Sequence, residues 1–147
     1  MKSAYQRSNE ITEVAYTRFR HFEYRRLVDA GDSIIKRRRY SKELIAYLCE
    51  KFKIDEANVY ISNKPQPTKK MKRGRSTLRA FYFYESKTIK VFNITAVRHQ
   101  VLSINVFIDQ LLHEFMHHYD REYLGIMDTP HCEGFRSRIQ DLKNKLK

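Results

Sequence analysis

Residues 103–125 read SINVFIDQLLHEFMHHYDREYLG, and the spacing of their apolar members decides how the rest of the chain is read. Ile104, Phe107, Ile108, Leu111, Leu112, Phe115 and Tyr119 recur at three and four, the period of an α-helix with one buried face. Ser103 stands where an N-cap belongs, and Gly125 is placed to end the helix. Inside this helix, His113-Glu114-Phe115-Met116-His117 matches H-E-x-x-H. Histidines four apart share one helix face, about 6 Å apart, so both imidazoles can converge on one metal ion. Glu114 lies beside the first histidine and can face the remaining coordination position, where a zinc-bound water needs a base. The pattern points to metal-assisted hydrolysis.

A catalytic zinc site takes three protein ligands and keeps one position open. His131 stands 14 residues after His117, beyond a turn that contains Gly125 and Pro130, and is the candidate third ligand. Asp120, Cys132 and Glu133 compete with it. A closed structural site of two Cys and two His is disfavoured because Cys49 and Cys132 are 83 residues apart and Cys132 abuts His131. His118 is turned about 100° around the helix from His117 and is read as a surface or supporting histidine. Asp120 reads as an orienting or an ordinary exposed acid, Tyr119 and Tyr123 as packing residues with a possible oxyanion role, and Cys132 as an inert thiol.

Working outward, residues 133–147 place Phe135, Ile139, Leu142 and Leu146 on one stripe with Arg and Lys opposite, which predicts a last helix. Upstream, LRAFYFY-ESKT-IKVFNI (78–94) alternates around a polar break and predicts a hairpin of two antiparallel strands. Its aromatic run Phe81-Tyr82-Phe83-Tyr84 can form core or stack bases, with core the first reading. Asn58 to Ser62 predicts a short strand. Residues 64–75, KPQPTKKMKRGR, hold six basic residues, two Pro and a Gly without an acid, and are expected to be a mobile basic loop. At the N-terminus, Ser8 to Ala30 shows near-helical apolar spacing with Gly31 as a stop. A second helix is expected from Ser41, its N-cap, to about Lys53, after the basic run Lys36-Arg37-Arg38-Arg39.

LLHEFMHHYD followed by PHCEGF resembles the SprT-like metallopeptidases, which pair H-E-x-x-H with a later histidine followed four residues on by an aromatic, here His131 and Phe135. The resemblance covers about residues 55–147. It implies that His113, His117 and His131 bind one catalytic Zn2+ and that Glu114 is the general base. It also implies a DNA-associated protease, because the family includes enzymes that digest proteins crosslinked to DNA. This chain departs from the family in having Cys132 rather than the more usual Gly directly after the histidine. Many members also add a zinc ribbon or other DNA-binding module, and no cysteine cluster stands here, so any DNA contact is expected on the domain itself.

Charge agrees with that expectation. The 147 residues carry 29 Lys and Arg against 17 Asp and Glu, a formal +12, while residues 109–133 hold six acids and one base. An acidic island within a basic protein suggests a cation site inside a polyanion-binding surface. The expected nucleic-acid contacts are Lys69, Lys70, Lys72, Arg73 and Arg75 of the basic loop and Arg37, Arg38 and Arg39 of the earlier run, with the tail LKNKLK a further candidate. Two cysteines cannot make a disulfide framework, no run of about 18 apolar residues can span a bilayer, and the N-terminus lacks a signal-like stretch. A cytoplasmic, DNA-associated monomer with a protein substrate and no membrane partner is the resulting expectation.

The fold expected is therefore α+β: one zincin-like metalloprotease domain over 1–147, with a helical N-terminal part (1–54), then a small antiparallel sheet and the zinc site (55–147) ending in a C-terminal helix. The expected activity is zinc-dependent endoproteolysis of DNA-bound or DNA-crosslinked proteins. A zinc peptidase that cleaves a regulatory or host protein without DNA, and a DNA-binding module with a structural metal, are the alternatives.

Overall fold

The computed structural model describes residues 1–72 and 74–147, with residues 74–76 described through their backbone. Ser103 caps α4 (Ile104–Tyr119), accepting a hydrogen bond from Val106 N. The helix runs into one π-helical turn, Asp120–Leu124, and Gly125, at φ 72°, closes it in a left-handed conformation that costs glycine little. α5 (Glu133–Leu146) then folds back with Phe135, Leu142 and Leu146 buried. Its second residue is held to glycine by a close approach: a Cβ at Gly134 would lie 2.1 Å from the Ser8 carbonyl oxygen.

The N-terminal part differs from its expected pair of helices. Residues 8–30 form the end of α1 (Ala4–Glu10), an irregular segment, and α2 (Phe22–Asp29). In the irregular stretch, side chains replace helical partners: Val14 N donates to Asp141, Ala15 N to the Tyr119 hydroxyl and Arg20 N to the Tyr47 hydroxyl. Val14 and Phe19 are still buried, so the apolar spacing is met without a helix. α3 (Ile34–Phe52) begins seven residues before the expected cap, because Ser33 accepts from Lys36 N and starts it. Ser41 lies buried inside the helix, and the basic run occupies its first turns. The helix ends at Lys53, at φ 56°.

The main sheet is mixed, a correction to the antiparallel expectation. Its order is β1 (Asn58–Pro65), β5 (Thr88–Ile94), β4 (Ala80–Phe83). β4 and β5 form the expected hairpin, whereas β1 runs parallel to β5, with Val59 beside Ile89 and Ile61 beside Val91. The basic stretch is not a plain loop: β2 (Thr68–Met71) pairs antiparallel with β3 (Gly74–Thr77) as a separate two-stranded arm. α3 packs on β1, and α4 packs on β4 and β5. Between these layers lies one apolar cluster reaching from Val14 to Leu146, with Leu44, Leu48, Phe52, Leu111 and Phe115 fully enclosed. Burying such side chains is worth about 1.5–3 kcal/mol each.

Two arginines are enclosed with them. Arg37 donates from Nε to Gly31 O, from Nη1 to Asn93 Oδ1 and from Nη2 to Leu102 O, tying α3 to β5 and to the start of α4. Arg138, expected on the polar side of α5, is fully buried. It bonds both Asp120 carboxylate oxygens at 3.1 and 2.7 Å and takes the Ser8 and Ile11 carbonyls and the Ser8 hydroxyl. This network clamps α5, the π-turn and the N-terminal segment together. Among the described residues, no helix is long and apolar enough to cross a membrane.

Candidate metal centre

α4 presents His113 and His117 on one face, one turn apart, and the segment between Gly125 and α5 brings His131 over them. His131 Nε2 lies 3.3 Å from His113 Nε2 and 3.0 Å from His117 Nε2. Among the described residues, these three form the one His/Cys/Asp/Glu group that can hold a metal ion, with ligand atoms within 4.8 Å of one another. Desolvation, with the neighbouring imidazoles as the second cause, pushes His113 down to about 4 and His117 down to about 3. Both rings are therefore neutral near pH 7, the form in which imidazole ligates metals.

Phe135 makes the floor of this site. Its ring centroid lies 5.1 Å from His113, 4.6 Å from His117 and 5.4 Å from His131, and the ring is completely buried. One residue, four after His131 on the first turn of α5, thus fixes the approach of all three imidazoles. The competing ligands are engaged elsewhere. Asp120 is committed to Arg138, Cys132 is buried with its Sγ on the Ser8 hydroxyl at 3.2 Å, and Glu133 is exposed at the start of α5. Among the described residues, the donor set is three nitrogens with no fourth protein ligand, which fits a borderline divalent ion with an open position.

Glu114 occupies the open side. It is 7% exposed, its carboxylate comes to 3.9 Å from His113 Nε2, and burial lifts it to about 7. It borders two lobes of one cleft. A lobe of ≈ 360 Å³ is lined by Tyr82, Tyr84, His117, Asp128 and His131, and another of ≈ 490 Å³ by Thr77, Leu78, Arg79, Gln110, His113 and His131. Ala80 of β4 touches both lobes, so the strand and its flanks run the length of the cleft. β4 is an edge strand of the sheet, and its outer edge has no strand partner there.

Two residues at the cleft are not read as site residues from the sequence: Gln110, and Tyr84, which is named there only within the aromatic run. Tyr84 follows β4 and donates from its hydroxyl to Asp128 at 3.1 Å, and burial raises its pKa above the usual phenol range. Tyr84 and Asp128 belong to loops that the tertiary fold brings together, and no local pattern marks that meeting. Gln110 is 8% exposed, with both side-chain polar atoms unpartnered. It stands three and four residues before His113 and Glu114, so the helix period carried a signal for it.

The remaining candidates separate cleanly. His118 is enclosed and pinned, its Nδ1 accepting from the Tyr82 hydroxyl and its Nε2 donating to the Asp55 carbonyl, each at 2.6 Å. Tyr119 packs in the core with its hydroxyl on Ala15 N, and Tyr123 stacks on it. Of the expected nucleic-acid residues, Arg37 is a correction: it is fully buried and holds the fold. Arg38 and Arg39 are exposed, Arg39 paired with Glu43. Lys69, Lys70 and Lys72 are exposed on the hairpin arm, whose β3 end leads through Thr77 and Leu78 into the cleft rim. Arg73 and the Arg75 side chain lie outside the described residues. No protein-family model matches the chain, and no curated protein or solved structure matches it either.

Proposed function

We propose that this chain is a zinc-dependent metalloendopeptidase of zincin-like, SprT-like type that acts on DNA-bound or DNA-crosslinked proteins. The observation that carries the reading is the joining of three converging imidazoles, His113, His117 and His131, to a buried carboxylate, Glu114, on the open side of a cleft. A purely structural metal has no use for that cleft or for Glu114. Zinc, when bound, supplies a Lewis acid for the scissile carbonyl and lowers the pKa of water.

The chain's own residues do the rest. Phe135 and the capped α4 hold the three histidines. Glu114 stands to take a proton from the attacking water and to pass it to the leaving amine. The outer edge of β4 offers backbone groups to a substrate segment laid along the cleft as an added strand, which gives weak sequence preference. Gln110, with a free donor and a free acceptor, suits the amide groups of such a segment. Tyr84 lines the lobe shared by Glu114 and His117, where a hydroxyl can stabilise developing negative charge. Net charge of +12, with the basic arm leading into the cleft rim, supports a substrate carried on a polyanion.

The test is cleavage of a DNA-binding protein by zinc-loaded wild type and by Glu114→Gln, with and without DNA, at low and high salt. The expected result is Glu114-dependent cleavage that DNA stimulates and high salt abolishes. Cleavage indifferent to DNA would leave a peptidase and remove the DNA-bound substrate. Failure of zinc-loaded wild type to cleave would remove the enzyme.

A further inference from the structure

Residues alternate across the main sheet, so side chains that do not face α3 and α4 face the other way. The aromatic run splits on this rule: Tyr82 is buried on the helix side at 8% exposure, while Phe81 and Phe83 belong to the opposite face. There, one row across the three strands reads Tyr60, Lys90, Phe81, and the next reads Asn58, Thr88, Phe83. Tyr60 is 56% exposed and Phe83 44%, whereas Ser62 and Phe92, the row beyond Tyr60 and Lys90 on this face, are buried at 2% and 4%, so the face is open at its Asn58–Tyr60 end. The Lys90 ammonium lies 5.4, 5.6 and 5.0 Å from the ring centroids of Tyr60, Phe81 and Phe92. Lys90 makes no ion pair among the described residues.

We infer that the open end of this sheet face is a binding platform for single-stranded nucleic acid, with Tyr60 and Phe83 as stacking surfaces and Lys90 as a central cation. Flat rings at separate points of an open sheet match the faces of unpaired bases, and a base held in a duplex cannot present its face to them. A partner protein would meet an unpaired ammonium at the centre of its apolar contact, whereas a polynucleotide brings phosphates to it. Basic side chains flank the platform. Arg38 Nε reaches the Ile61 carbonyl of β1 at 3.4 Å, and Lys64 is exposed toward the end of that strand. The platform lies on the sheet face away from α4, so a strand bound there and a protein segment in the cleft can be held together. This inference rests on the polyanion part of the proposed function and not on the metal.

The experiment is fluorescence anisotropy of a labelled oligothymidine and of a duplex of the same length, with wild type, Tyr60→Ala, Phe83→Ala, Phe83→Tyr and Lys69→Ser/Lys70→Ser. Each variant is first checked for a wild-type melting temperature. Wild type is expected to bind the single strand more tightly than the duplex. Tyr60→Ala and Phe83→Ala are each expected to weaken that binding about tenfold, the scale of one lost base stack, while Phe83→Tyr keeps it. Single-strand binding unchanged in both alanine variants and weakened only in the arm variant would overturn the platform and leave the polyanion reading standing. Absence of binding to either nucleic acid by wild type at low salt would overturn both.

Discussion

The buried arginine centres and the histidine cleft are both polar regions inside an apolar layer, and they treat their polar atoms in opposite ways. Arg37 and Arg138 are fully enclosed, and Nε, Nη1 and Nη2 of each have partners within the chain. At the cleft, both polar atoms of Gln110 and the Nδ1 of His117 are buried without partners, and Glu114 is held in an apolar setting. Burying an unpaired polar group costs about 1–3 kcal/mol, so a cluster of them in one place calls for an explanation. Unpartnered buried atoms also occur at Glu23, Ser41 and Asn93, so what sets the cleft apart is that several of them gather beside three converging histidines.

That contrast yields a graded set of expectations. The largest concerns Glu114→Gln: cleavage should fall by about 10²–10⁴-fold, the usual worth of a general base, with the urea midpoint unchanged. A large loss of stability in that variant would place Glu114 with the arginines. Next, Arg138→Ala should cost about 3–5 kcal/mol in urea denaturation, because it strands Asp120 as a buried, unpaired charge. Stability within 1 kcal/mol of wild type, by the same yardstick, would erase the distinction. His118→Phe removes two saturated hydrogen bonds and should cost about 1–3 kcal/mol while leaving zinc affinity intact. Altered affinity would show that His118 serves the metal centre. The smallest effect is expected for Gln110→Leu, which should hold or raise stability by about 1 kcal/mol and raise the KM for a peptide more than it lowers kcat.

The same contrast explains what was legible beforehand. α4, its cap and its histidine pair were readable because helix period and metal-ligand spacing are both local properties. His131 and Phe135 were readable through their spacing and the family resemblance, and the structure brings both to the histidine pair. The arginine centres were not readable. Arg37 sits in a run of four basic residues, and Arg138 sits among the charges of an amphipathic helix, so only tertiary partners distinguish either from a solvated neighbour. Residues 11–21 were misread as helix because the apolar spacing is real while Asp141, Tyr119 and Tyr47 outbid the helical hydrogen bonds. The basic stretch was read as a loop because Pro65, Pro67 and Gly74 bracket a four-residue strand too short to show alternation. Parallel pairing of β1 with β5 joins segments separated by a whole hairpin, which no local pattern records.

The central claim is that His113, His117 and His131 form one metal centre that is built for use and not for holding the fold. Its most direct test is zinc affinity by chelator competition in wild type, His131→Ala and Glu114→Gln. Wild type and Glu114→Gln should bind one zinc with matching affinity, and His131→Ala should lose well over about 100-fold, more than the loss of an outer-shell partner costs. Equal zinc binding by wild type and His131→Ala would contradict the account.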